Sequence, residues 1–280
     1  MIRCLDAQQF GVPSRGAAYV VGEGPHGLVE AGTPLAAEKL LDALDGLDVR
    51  FVFVTHIHLD HAGGAGAIAQ AHPEAIVVVH PRGVRHLADP SRLIEGVRAA
   101  SPDLYPLYGD PLPVAPDRLH EVEDGEEFHV GGGCIRAIHA PGHAPHHVCF
   151  FESTTQTLFT GDAAGNQGIP VDVPLTVPPR FDIEQSIRTL RRLRELAPKQ
   201  LAYTHFGIAT DNALNRLSDY ERQIGDWFER IRDQMRAHSL REIESEILSA
   251  PAYASLDPID RDALAMCIRG AVLSVQAEEI

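Results

Sequence analysis

A chain of 280 residues with 44 % apolar and 22 % charged side chains can bury one large core plus a smaller appendage, and its composition excludes disorder. Its formal charge of −15, from 24 basic against 39 acidic residues, disfavours nucleic acid and anionic membrane and leaves a small molecule as the expected partner. The four cysteines are scattered and form no C-x-x-C pair, no apolar run exceeds strand length, and no signal-peptide pattern follows Met1, so the expectation is a soluble cytoplasmic protein with reduced thiols.

In chain order, residues 17–22 and 27–31 read as two strands joined by the turn Glu23-Gly24-Pro25-His26. Leu35, Leu40, Leu41 and Leu44 then give helical spacing over Thr33–Asp45, and Phe51–Val54 is a continuous apolar run, the mark of a strand buried on both faces. A small-residue helix over Ala65–Ala71, a buried strand over Ile76–Val79 and a helix from Pro81 to about Leu87 follow. Residues 88–118, rich in Pro, Gly, Asp and Tyr, read as an irregular cap in which Tyr105 and Tyr108 could line a cleft. Strands resume at Cys134–Ile138, Val148–Glu152 and Thr157–Thr160.

A second loop over 163–180 holds four prolines, Pro170, Pro174, Pro178 and Pro179. Asp182 is placed as an N-cap, with Gln185 three residues on, for a helix striped by Ile183, Ile187, Leu190, Leu193 and Leu196; its Arg188, Arg191, Arg192 and Arg194 form a solvated face. Leu201–Thr204 is a short strand. Beyond residue 210 only helices are expected. The stripe through Leu214, Leu217, Ile224, Trp227, Ile231 and Met235 reads as core or as a homodimer contact, and Asp257-Pro258 caps the last helix. Alternating strands and helices followed by helices alone imply α/β layers with a small all-α unit.

The chemistry is concentrated at strand ends. His56, His58, Asp60 and His61 fall within Thr-His-Ile-His-Leu-Asp-His directly after a buried strand, four ligand-type side chains in six residues. His143 in Ala-Pro-Gly-His, Asp162 in Phe-Thr-Gly-Asp and His205 in Tyr-Thr-His-Phe-Gly repeat that placement. Seven such groups exceed what one tetrahedral zinc takes and suit two divalent metal ions sharing a carboxylate, with imidazole and carboxylate compatible with zinc first and with iron or manganese as alternatives. The tandem His146 and His147 look like further ligands, but the seven already suffice, so His147 is expected to make a supporting hydrogen bond or to face solvent.

These motifs resemble the metallo-β-lactamase fold hydrolase superfamily, which includes glyoxalase II-like thioesterases, lactonases and phosphodiesterases. The resemblance covers roughly residues 17–207. It implies a four-layer αββα sandwich, with a catalytic domain over 1–210 and a helical appendage over 211–280. It also implies that His56, His58 and His143 hold one metal, that Asp60, His61 and His205 hold the other, and that Asp162 bridges them. Glu30 stands where many relatives carry Asp, as a support for the metal loop.

The implied activity is hydrolysis of a small thioester, ester or lactone by a hydroxide shared between the metals, with Asp60 as the catalytic carboxylate. A small-molecule phosphodiesterase and an iron-dependent persulfide dioxygenase are the alternatives, while His58 argues against the flavodiiron type, which has Glu there. A glyoxalase II substrate is disfavoured by the lack of a Lys/Arg pair at a strand-end loop. A non-catalytic binding module is disfavoured by the full ligand set.

Overall fold

The computed structural model describes residues 1–167, 172–178 and 181–278. Two six-stranded sheets follow the chain in strict order. The first contains β1 (Ile2–Asp6), β2 (Ala17–Val21), β3 (His26–Val29), β4 (Val49–Phe53), β5 (Ile76–Val79) and β6 (Leu119–Glu121). The second contains β7 (Glu127–Val130), β8 (Gly133–His139), β9 (Val148–Glu152), β10 (Thr157–Gly161), β11 (Gln200–Tyr203) and β12 (Gly207–Ala209). The three parallel pairs from β3 to β6 are joined by helical crossovers, as parallel strands require, whereas β7 to β10 form an antiparallel meander.

The helices are α1 (Ala37–Leu44), α2 (Leu59–Ala62), α3 (Ala65–Ala71), α4 (Pro81–Ala88), α5 (Ser91–Ala100), α6 (Tyr105–Tyr108), α7 (Ile183–Glu195), α8 (Ala213–Met235), α9 (Leu240–Leu248) and α10 (Pro258–Glu278). Three apolar clusters define the layers. Leu40, Ile68 and Leu87 pack with Val52 and Val77 on the outer face of the first sheet. Phe53, Phe150 and Phe159 fill the space between the sheets, each contributing roughly 1.5–3 kcal/mol on burial. Leu190, Leu217, Trp227, Ile243 and Ile268 pack with Leu158 and Leu201 on the outer face of the second. The architecture is the αββα sandwich with a C-terminal helical extension. β4 shows why its sequence carries no polar alternation: Val52 faces the helices while Phe53 faces the other sheet.

From Leu217 onward the stripe is core, with Trp227 only 5 % exposed, whereas Leu214, in the first turn of α8, is exposed. Asp182 caps α7 by accepting from the Gln185 amide at 3.0 Å, as its position in the sequence suggests. The segment 88–118 differs from the irregular cap expected of it, because residues 91–100 and 105–108 are helical. α5 has no fully buried residue; its apolar side Leu93, Ile94 and Val97 packs against Leu59, Tyr105 and Tyr108, with Leu93 also reaching the outer-face cluster of the first sheet, and its period is blurred by solvent-facing residues. Of the loop over 163–180, residues 168–171 and 179–180, with Pro170 and Pro179, lie outside the described residues. Among the described residues no helix is long and apolar enough to cross a membrane.

Candidate metal centre

All seven side chains singled out by sequence meet where the carboxyl ends of β4, β8, β10 and β11 open at one edge of the sandwich. His56 follows β4, His58 precedes the first turn of α2, and Asp60 and His61 lie within it. His143, Asp162 and His205 follow β8, β10 and β11. The potential ligand atoms fall into two groups, His56, His58, His143 and Asp162 in one and Asp60, His61 and His205 in the other, each within 4.8 Å. The Asp162 carboxylate spans them. Its Oδ2 lies 3.4 Å from His143 Nε2 and 3.9 Å from His56 Nε2, while its Oδ1 lies 3.4 Å from both His61 Nε2 and His205 Nε2. Asp60 Oδ2 is 3.6 Å from His61 Nε2 and from His205 Nε2.

Hydrogen bonds behind the cluster fix which ring nitrogen points inward. His61 Nδ1 donates to Glu30 Oε1 at 2.9 Å, and His143 Nδ1 donates to the Leu175 carbonyl at 2.7 Å, because neither oxygen can donate. Thr55 Oγ1 gives its proton to Glu30 Oε1 at 2.6 Å, so His56 Nδ1, 3.1 Å from that hydroxyl, is the donor to it. In all three rings Nε2 is left as a lone pair facing the cluster. His56 Nε2 and His143 Nε2 stand 2.9 and 3.2 Å from His58 Nδ1, an arrangement of acceptors that one ring proton cannot satisfy. His61 Nε2 and Asp162 Oδ1 are buried without any hydrogen bond. This donor set, with its orphaned buried atoms, fits a cation.

The electrostatics agree for three of the rings. Burial holds His56 and His58 well below the ordinary histidine value, reinforced by neighbouring rings, and it lowers His143 as well. Neutral imidazole is the form that ligates metal. Burial opposes the Asp162 charge, but His61, His205 and His143 together hold it well below the usual carboxylate range. His61 is pushed up against its own burial by Asp162, Asp60 and Glu30, the expected response of the ring lying closest to the carboxylates.

Sequence placed Glu30 behind the metal loop, and the structure shows it accepting from Thr55 Oγ1, from His61 and from Thr204 Oγ1 at 2.8 Å. The two threonines were not anticipated. Their signal was local, since each directly precedes a cluster histidine in Thr55-His56 and Thr204-His205. His147 makes the supporting bond expected of it: it is fully buried, and its Nε2 accepts from the Asp162 amide at 3.1 Å. Gly161 permits this approach. At φ 50° it turns the chain into Asp162, and a Cβ there would lie 2.6 Å from His147 Nε2 and 2.7 Å from Thr55 Oγ1. Of the two cap tyrosines, Tyr105 is committed to Asp110, while Tyr108 packs edge-on to Phe10 beside Leu59.

Outside the ligand set, His146 and His80 are both pushed down to about 4, first by burial and then by histidine neighbours. Unfolded, they bind protons that the folded chain refuses. Their contribution is therefore present above about pH 6.5 and lost as pH falls toward about 4. His80, only partly buried, is screened by solvent and adds little. His146 accounts for at most about 3 kcal/mol over that window. Denaturant midpoints between pH 7 and 4.5 are expected to fall more steeply in the wild type than in His146→Gln; equal slopes would contradict this.

The sequence profile of the metallo-beta-lactamase superfamily matches residues 11–205. A metallo-beta-lactamase fold-containing protein of Sulfurisphaera tokodaii is 33 % identical over 205 residues, 71 % of this chain and 75 % of that one. An atrochrysone carboxyl ACP thioesterase of Aspergillus fumigatus is 26 % identical over 221 residues, and the matched region spans 74 % of this chain but only 57 % of that protein. The crystal structure of an archaeal metallo-beta-lactamase superfamily protein from Sulfolobus tokodaii superposes with a TM-score of 0.75 at 26 % identity, covering 96 % of this chain and 97 % of that one. A metallo-beta-lactamase family protein from Thermus thermophilus reaches the same TM-score at 21 % identity over 99 % and 94 %, a likeness of fold that includes the C-terminal helices. With two sheets meeting at a histidine–aspartate cluster, and with the profile spanning most of the chain, this protein belongs to the metallo-β-lactamase superfamily.

Proposed function

We propose that the chain is a hydrolase of small thioesters, esters or lactones that works with two divalent metal ions, zinc foremost. The observation that carries this reading is the Asp162 carboxylate, which faces one histidine group with each oxygen. The relatives named as acyl-carrier thioesterases favour an acyl substrate over a phosphodiester. His56, His58 and His143 would hold one ion and Asp60, His61 and His205 the other, with Asp162 serving both. When bound, such ions supply Lewis acidity, lowering the pKa of water and polarising a carbonyl oxygen.

The chain's own residues do the rest. Asp60, whose side chain is 22 % exposed against 0–10 % for His56, His61, His143, Asp162 and His205, sits at the mouth and would take the water proton on its carboxylate. Glu30, Thr55 and Thr204 hold the rings of His61 and His56 in the inward tautomer. Leu59, Tyr108 and Phe10 form an apolar wall beside Asp60 that excludes bulk water from one side.

The test joins metal content with turnover. Purified protein is expected to carry two equivalents of metal, to hydrolyse members of a panel of acyl thioesters, esters and lactones, and to lose turnover on chelation with recovery on adding Zn2+. Two bound metals without turnover of any panel member would refute the acyl assignment. Oxygen uptake with a persulfide would instead reveal an iron oxygenase.

A further inference from the structure

We propose that Tyr220, on the helix α8 that follows the ligand-bearing strands, positions His143 through Leu175 and so sets the strength of the metal position that His143 serves. The inference rests on the two-metal reading above. His143 is 3 % exposed, and on the side away from the cluster its ring is held by Nδ1–H donating to the Leu175 carbonyl at 2.7 Å. That carbonyl belongs to no strand or helix, so something else must hold it still. Leu175 donates its own N–H to the Tyr220 hydroxyl at 3.1 Å, inside the core.

The other side of the same residue is fastened to α10. Thr176, fully buried, donates its hydroxyl to the Cys267 carbonyl at 2.6 Å, and its amide donates to the Pro174 carbonyl at 2.8 Å. A Cβ at Gly270 would stand 1.6 Å from the Thr176 carbonyl oxygen, so only glycine lets α10 approach this closely. Leu175 is thus clamped between the hydroxyl of α8 and the backbone of α10, and the clamp aims its carbonyl at His143. The main chain of His143 is fixed separately, where Asp182 N donates to the Gly142 carbonyl at 2.9 Å. Tyr220 governs the ring and not the loop.

Partners that orient a metal-bound histidine are worth 10- to 100-fold in metal affinity. Tyr220 acts one residue further out, so about 10-fold is expected. Tyr220→Phe keeps the ring that packs against Gly165 and removes only the hydroxyl. Chelator-stripped protein is titrated with Co2+ against a competing chelator, and the absorption bands of each position are followed. The position that disappears in His143→Ala identifies the one concerned. Tyr220→Phe and Thr176→Val are expected to weaken that position alone by about 10-fold and to shift its Co2+ bands. Tyr253→Phe, in the same helical layer but with a hydroxyl that takes no hydrogen bond from Leu175, is expected to match the wild type.

A merely structural role would lower both affinities together, and that result would overturn the proposal, as would unchanged affinities and spectra in Tyr220→Phe. Should Tyr220→Phe not fold, Thr176→Val decides by the same criteria. A wild type that binds no metal would sink the two-metal reading itself, which is a different result from two bound metals indifferent to Tyr220.

Discussion

On the proposed two-metal reading, Asp162→Ala is expected to remove both metals and to lower kcat/KM by ~10³-fold or more, on the order of 4 kcal/mol in the barrier. The carboxylate approaches His143 and His56 with one oxygen and His61 and His205 with the other, so its deletion deprives both groups at once. Asp60→Ala provides the contrast. Asp60 lies near His61 and His205 only, so its loss is expected to release one metal equivalent while the other stays, with turnover falling to a comparable extent. Metal analysis of the two variants side by side separates the roles. Equal stoichiometry in both would contradict the bridging position of Asp162, and full activity in Asp60→Ala would contradict its part in catalysis.

Glu30 is expected to show the largest effect of any residue that does not face the metals. Its side chain is 1 % exposed and accepts from two hydroxyls and one imidazole, drawing together the loops after β4 and β11 and the α2 turn. Glu30→Ala leaves three buried donors without an acceptor, at about 1–3 kcal/mol each, enough to unfold a domain of ordinary stability. Glu30→Gln keeps the shape but not the charge. One of its amide hydrogens must also face a donor, so metal affinity is expected to fall 10- to 100-fold with a smaller loss of thermal midpoint. Isothermal titration with Zn2+ and a melting curve check both halves. A Gln variant that binds metal like the wild type would show that the Glu30 charge plays no part in holding His61.

The eight strands legible in the sequence are the eight inner strands of the two sheets. The four that were not, β1, β6, β7 and β12, are the four sheet edges. An inner strand here is covered on both sides and paired on both edges, so its residues form unbroken apolar runs such as Phe51–Val54 and Ile76–Val79. The edge strands β1, β6 and β7 carry charges, as in Ile2-Arg3-Cys4-Leu5-Asp6 and Leu119-His120-Glu121, and β12 is only the three residues Gly-Ile-Ala, too short to show a pattern; edges are kept short or polar against unwanted pairing. Likewise α5 buries no residue fully, so burial leaves little periodic trace in its sequence.

Taken alone, the sequence singled out the seven side chains that meet at the site, because histidines and aspartates at strand ends stand out against apolar runs. The family resemblance carried by those motifs supplied the layer order and pointed to Glu30 as a support. Only the tertiary structure decided which ring nitrogen each histidine turns inward, that Thr55 and Thr204 share one carboxylate, and that Leu175 orients His143. Those facts depend on groups far apart in the chain, 174 residues between Glu30 and Thr204 and 45 between Leu175 and Tyr220. A hydroxyl, a carbonyl or an amide carries no local sequence signature of the partner it will meet, so that pairing is fixed by packing and by nothing shorter in range.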